Sequence, residues 1–292
     1  MSAAAPSMQD WQAMGEYHRL SLPGLGRHEL FVIDTGETDK PVLCILHGYP
    51  TSSYDYWKAL PILRQHYRVI MHDHLGFGLS DKPVAYGYQL IDQASFALEL
   101  WKQLGVQSMH LLAHDYGTSV ATEIIHRHNH KELDISIENV TLCNGSMHIE
   151  LSQLRPIQKL LKSRFVGPLI ARLASKRTLK RNFQRIYSDA SKVDDQELDA
   201  IWAMMLHNNG RRVLARVTRY IDQRYTHWDR WIGALRETQL PMHILWAEDD
   251  PVAVVEMAQV ISDETRNSRK TILSGLGHFP MLENAQVWTS HI

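Results

Sequence analysis

The chain has 292 residues, 44% of them hydrophobic, enough for one large core or for one core plus a smaller lobe. Its 31 Lys+Arg and 32 Asp+Glu nearly cancel, for a formal net charge of −1, and that balance gives no sign of nucleic acid or of an anionic membrane surface as partner. Two cysteines, Cys44 and Cys143, sit in apolar runs and read as buried free thiols rather than as a disulfide framework.

The opening MSAAAPSMQD lacks a basic start and an apolar stretch, so no signal peptide is expected. No apolar run is long enough to span a bilayer. The expectation is a cytoplasmic protein acting on a small molecule.

Phe31–Thr35 is the first predicted strand, short and rich in β-formers. Pro41–His47 and Tyr67–His72 are largely apolar runs, as parallel strands covered on both faces require. Apolar residues at helical spacing predict a helix over Ile91–Leu104. A strand at Met109–Ala113 follows, then a helix over Thr118–His128 and a strand at Val140–Cys143. From about Met147 to Leu235 no strand is predicted. That stretch reads as helices rich in Arg and Lys, with Leu, Ile and Trp at helical spacing. Strand His243–Trp246, helix Val254–Ser262, a weaker strand at Lys270–Leu273 and a helix from Ala285 complete the chain.

This alternation predicts an α/β fold with a mostly parallel, doubly wound sheet. Residues 1–145 and 237–292 form its two parts, and residues 146–236 form a helical cap. A cap inserted there would cover the C-terminal edge of the sheet, where ligands bind in such folds. The run His126, His128, His130 places only the first and third on one helix face, with no acidic or cysteine partner nearby. No metal site is assigned to it, and no cofactor is expected.

Ala113-His114-Asp115-Tyr116-Gly117 follows a strand and opens a helix. The pattern small, any, nucleophile, any, small is the spacing of a nucleophile elbow, with Asp115 where Ser normally stands. A lone Asp there would read as a helix N-cap; the rest of the constellation favours a nucleophile. Ser119 lies too far into the helix to occupy the tip. His47-Gly48-Tyr49-Pro50 follows an early strand. Its Tyr49 N–H and that of Tyr116 would form an oxyanion hole, and His47 is taken as a substrate contact. Late in the chain, Asp250 before Pro251 fits an acid loop, with Glu248 and Asp249 as substitutes. The alternative acid position, after Val140–Cys143, holds the neutral Asn144. His278, in Gly275-Leu276-Gly277-His278, fits the base. Seventeen histidines make any one unremarkable, but His278 completes the order nucleophile, acid, histidine.

The segments HGYPTSSYDYW, DHLGFGLSDKP, LLAHDYG, the closing DDP and GLGHFPMLE resemble the epoxide hydrolase and haloalkane dehalogenase branch of the α/β-hydrolase superfamily. Within it the chain is most similar to the mesoderm-specific transcript family, whose elbow also reads HDYG. The resemblance runs from about Phe31 to the C-terminus and takes in RYIDQRYTHWDRWIGAL of the cap. It implies an α/β-hydrolase fold and an Asp115 that attacks an sp3 carbon to give an alkyl-enzyme ester. His278, oriented by Asp250, then activates water against that ester.

The resemblance also implies an acid for an epoxide's leaving oxygen, usually a pair of cap tyrosines. Tyr220 stands where one is expected. Tyr187 is near the second position but displaced by about one helical turn, with Gln184 closer to the register. Haloalkane dehalogenases usually place Asn after His-Gly and Trp after the nucleophile; here those positions hold Tyr49 and Tyr116. Epoxide hydrolysis therefore ranks above dehalogenation, and a ligand-binding protein without activity is the third reading.

Overall fold

Every strand that the apolar runs predict is present, in one eight-stranded sheet of the computed structural model, which describes residues 4–292. Residues 1–3, the start of the stretch read for a leader, lie outside the described residues. The strands are β1 (Glu16–Leu22), β2 (Gly26–Asp34), β3 (Val42–Leu46), β4 (Arg68–His72), β5 (Ser108–His114), β6 (Ser136–Cys143), β7 (Met242–Ala247) and β8 (Ser268–Leu273). Their order across the sheet is β1-β2-β4-β3-β5-β6-β7-β8. The β1–β2 and β2–β4 pairs are antiparallel, and all the others are parallel.

Strand β1 has no counterpart in the sequence reading. It is an edge strand in which only Leu20 is fully buried, so it shows no apolar run. Its pairing with β2, from Glu16 opposite Val32 to Leu22 opposite Gly26, holds it in place.

Alternation along the central strands divides the core in two. Cys44 and Leu46 of β3 and Leu111 and Ala113 of β5 face the helices Leu90–Gln103 and Tyr116–Asn129. Leu43, Ile45 and Leu112 face the other way, toward Leu60–Leu63, Pro280–Glu283 and Ala285–Thr289. Both faces are covered, which is why these strands read as unbroken apolar runs. Each such Leu or Ile contributes about 1.5–3 kcal/mol by leaving water. Cys44 and Cys143 are buried free thiols.

The chain leaves β3 toward β4 on one side, while β5 lies on the other. The loops after β3 and β5 therefore diverge, and the crevice between them is where this class of sheet binds ligands. Residues 47–49 and Asp115 occupy those two loops.

Between β6 and β7 the chain is entirely helical or irregular, with helices from Pro156–Leu161 to Trp228–Glu237. The last of these packs on Tyr116–Asn129, the helix behind Asp115. A buried carboxylate, Glu123, holds the two together. It accepts from Arg230 Nε (2.8 Å), Trp231 Nε1 (3.0 Å) and Arg127 Nε (2.9 Å). Burial would push this carboxyl up, but the bonds from Arg230, Trp231 and Arg127 outweigh it and pull Glu123 down to about 2. Among the described residues no helix is long and apolar enough to cross a membrane.

Candidate active site

Asp115 sits at the junction of β5 and its helix with φ 44° and ψ −106°, a conformation that side-chain-bearing residues rarely adopt. Its backbone is tied on both sides. Asp115 N–H donates to the Cys143 carbonyl at 3.2 Å, and its own carbonyl accepts from Thr118 N (3.1 Å) and Thr118 Oγ1 (2.5 Å). The small residue after the turn has a steric reason: a Cβ on Gly117 would lie 2.3 Å from the Leu46 carbonyl oxygen. The Asp115 side chain does not cap the helix. Instead its Oδ2 accepts a hydrogen bond from the Tyr49 N–H at 2.9 Å, while Oδ1 accepts none from the described residues.

Gly48 allows that approach, since a Cβ there would lie 2.7 Å from His114 Nδ1 and 3.1 Å from Asp115 Cβ. His47 has a different place from the one expected. Its Nδ1–H donates to the Gly48 carbonyl (2.8 Å) and its Nε2 accepts from His74 N–H (3.0 Å). Both ring nitrogens are thus committed to holding the turn, and the imidazole does not line the cavity described below. Tyr116 is buried, with its N–H at the first helical position; that N–H makes no bond to the Asp115 carboxylate.

His278 and Asp250 are brought together from two loops: His278 Nδ1 donates to Asp250 Oδ2 at 2.7 Å. Glu248 and Asp249, the substitutes, are exposed and point elsewhere. Asp250 Oδ1 accepts from the N–H groups of Val252 (2.7 Å) and Ala253 (3.1 Å). Burial opposes charge on His278, but the charge and hydrogen bond of Asp250, with the charge of Asp115, outweigh it and raise the imidazole to about 9.

Two positioning residues were not anticipated. Asn144 Nδ2 donates to Asp250 Oδ2 at 2.8 Å, and its Oδ1 accepts from Ala247 N–H at 3.0 Å. The residue set aside for being neutral thus fixes the Asp250 carboxylate. His114, a free choice in the elbow pattern, donates from Nε2 to the His278 carbonyl at 2.7 Å. Burial holds His114 down at about 4, so it serves as a neutral bridge between elbow and base loop.

Asp115, His278 and Tyr49 line one cavity of about 310 Å³, whose other walls come largely from the helical insert, including Phe183, Ile186 and Trp202. Tyr220 lies beside it rather than in its wall. Its ring centroid is 5.4 Å from that of Tyr49 and 5.0 Å from that of Tyr116. Its hydroxyl makes no hydrogen bond to any described residue, whereas the Tyr49 hydroxyl pairs with Thr218 Oγ1 at 2.8 Å. Burial and the nearby Asp115 charge keep the Tyr220 phenol protonated, against the pull of Arg224, whose guanidinium lies 4.7 Å over the ring.

Tyr187 does not reach the cavity. The helix Lys176–Ile186 ends just before it, and its ring is buried against Phe183 and Phe279, at centroid distances of 5.7 Å and 6.3 Å. Gln184 is exposed, and the polar residue of this turn that lines the cavity is Asn182. His126 and His130 stack at 4.2 Å on the helix surface. Among the described residues no group of three or more His, Cys, Asp or Glu is arranged to hold a metal.

A family model described as alpha/beta hydrolase fold matches residues 41–285. A protein of Mycobacterium tuberculosis that carries a hydrolase name, LipZ, is 37% identical over 280 residues, covering 96% of this chain and 94% of its own. The mesoderm-specific transcript protein of Mus musculus is 33% identical over 291 residues, covering 96% and 85%. Among solved structures, haloalkane dehalogenase DbeA from Bradyrhizobium elkani superposes with a TM-score of 0.78 at 18% identity, covering 95% of this chain and 96% of that one.

Proposed function

The chain belongs to the α/β-hydrolase fold family, and from that premise we propose a cofactor-independent hydrolase that opens epoxides through an ester on Asp115. One observation carries the reading. Asp115 stands at the elbow tip in a largely apolar cavity with Oδ2 held by the Tyr49 N–H and Oδ1 without a donor. A carboxylate so placed needs no deprotonation to attack carbon. It is poorly suited to ordinary ester cleavage, where attack would give a mixed anhydride.

Oδ1 forms a bond to a ring carbon as the carbon–oxygen bond of the epoxide breaks. The leaving alkoxide takes the proton of the Tyr220 phenol, which is buried beside the cavity between Tyr49 and Tyr116 and makes no hydrogen bond to any described residue. His278 then removes a proton from water, and the hydroxide adds to the ester carbonyl. The oxyanion lies on the atom that already faces the Tyr49 N–H, with the Tyr116 N–H as second donor. Collapse releases the diol and restores the carboxylate, and the proton taken from water leaves His278 protonated as it began. Alkylating Asp115 removes one of the charges that keep His278 protonated, so the imidazolium passes its proton through solvent to the Tyr220 phenolate before it takes one from water.

Haloalkanes are the weaker reading. Halide needs paired donors, but the Tyr49 hydroxyl is engaged by Thr218. The test is a screen of epoxides, haloalkanes and esters on wild type and Asp115→Ala, with multiple turnovers in heavy-oxygen water. Label entering Asp115 with an epoxide supports the proposal. Turnover without label rejects the ester, and no turnover by any class leaves a binding protein.

A further inference from the structure

The near-zero net charge conceals a segregated one. Residues 151–188 contain ten Lys and Arg and no Asp or Glu. The fold gathers Arg164 and Arg172 with Arg211, Arg212, Arg216 and Arg219 around a second cavity of about 330 Å³, and no carboxylate lines it. Arg219 Nε is buried there without a partner. Burial and the charges of Arg164 and Arg216 lower the basicity of its guanidinium. Asp222, the acid facing Arg219, is already paired with Lys162 at 2.7 Å. Six cations around one cavity with no carboxylate in its lining form a surface that attracts anions from outside.

The same segment exposes large apolar side chains. Phe165 is 93% exposed, Leu173 68% and Leu169 58%. Helix Gly167–Leu173 joins the two features and the active-site cavity. Its Pro168 and Arg172 line the arginine cavity, while its Ile170 and Leu173 line the cavity of Asp115. Leu173 is thus both a wall of the active-site cavity and an exposed residue, which places it at the mouth.

We propose that this face docks on a bilayer of anionic phospholipid. The arginines take the headgroup phosphates, Phe165 and Leu169 enter the acyl boundary, and Leu173 sets the mouth of the Asp115 cavity against the lipid. Nucleic acid or an acidic protein surface would satisfy the arginines but leave Phe165 in water. If the reading of Asp115 holds, the consequence is a lipophilic substrate that passes from bilayer to cavity without crossing solvent.

Co-sedimentation of the full chain with vesicles tests this without any turnover, so its outcome is separate from that of the epoxide assay. The chain is expected to bind vesicles of phosphatidylcholine mixed with phosphatidylglycerol, not phosphatidylcholine alone, and to release with salt. Arg164→Gln, Arg172→Gln and Arg212→Gln should each weaken partitioning about fivefold. Phe165→Ser with Leu169→Ser should weaken it further while leaving the thermal melt unchanged, since both side chains are exposed. Absence of binding to mixed vesicles overturns the proposal. So does complete competition by inorganic phosphate with no effect of Phe165→Ser, which would make the arginine cavity a small-anion site. Duplex DNA binding as tight as vesicle binding, and equally indifferent to Phe165, overturns it as well.

Discussion

The Tyr49 N–H donates to Oδ2 of Asp115 across 2.9 Å, joining the turn after β3 to the tip of the elbow after β5. The bond distinguishes two chemically equal oxygens. Oδ2 is held by the turn, and Oδ1 has no donor among the described residues.

Asp115→Ala is therefore expected to reduce turnover to background. His278→Gln should leave alkylation intact and slow ester hydrolysis by about 10²–10⁴-fold. Intact-mass spectrometry then finds substrate plus enzyme, and peptide mapping puts the adduct on Asp115. An adduct elsewhere would sink the assignment.

Tyr220→Phe should slow epoxide opening by about 10²-fold or more while leaving haloalkane turnover, if any, nearly unchanged. Equal losses on both substrates would mean that Tyr220 only packs between Tyr49 and Tyr116. Single-turnover rates of adduct formation make the comparison.

The His278–Asp250 pair is expected to set the pH dependence. His278 is raised from 6.5 to about 9 in the resting enzyme, so it is protonated at neutral pH. An NMR titration of its ring should show a lower midpoint in Asp250→Asn, and in Asp115→Asn, the neutral mimic of the ester. The folded state binds this proton more tightly than the unfolded chain. Its contribution to stability is thus fully present below 6.5 and is lost as pH rises through about 9. Urea unfolding of wild type and His278→Gln across that window would expose the difference.

Glu123 behaves with the opposite sign. Its carboxyl is lowered from 4.5 to about 2, so its stabilisation is present above 4.5 and lost as pH falls through about 2. Glu123→Ala leaves the buried Trp231 Nε1–H without its acceptor and frees Arg230 and Arg127, and should cost about 1–3 kcal/mol. Urea unfolding measures the loss. Limited proteolysis should show earlier cleavage near Trp228–Glu237, the helix that Glu123 fastens.

The sequence was most informative where burial imposes a pattern. Strands β3 to β7 show as apolar runs because both faces are covered, and the elbow shows because Gly117 must pass Leu46. Strand β1 left no such trace, since an edge needs only Leu20 inside. In the site, the loops bearing Asp250 and His278 were legible from chain order and do bring the two side chains together. His47 was not legible, because a histidine that holds a turn and one that touches substrate look alike in sequence. Tyr187 failed for a different reason: a helix that ends one residue earlier turns the ring from the cavity toward Phe279. Asn144 and His114 act through hydrogen bonds to other loops, and no local spacing encodes those.

The positive φ of Asp115 has a consequence for how such a molecule can change. The turn is fixed by Cys143, Thr118 and the clearance at Gly117, and the two hydrogen bonds run to the backbone of residue 115. Location and reactivity are therefore separable here. The scaffold supplies an address, and one codon supplies the chemistry. On the proposed mechanism, Asp115→Ser should keep the address and exchange an attacker of saturated carbon for one of acyl groups, since His278 lines the same cavity. A lineage, or an engineer, can cross between those reactions without rebuilding the sheet.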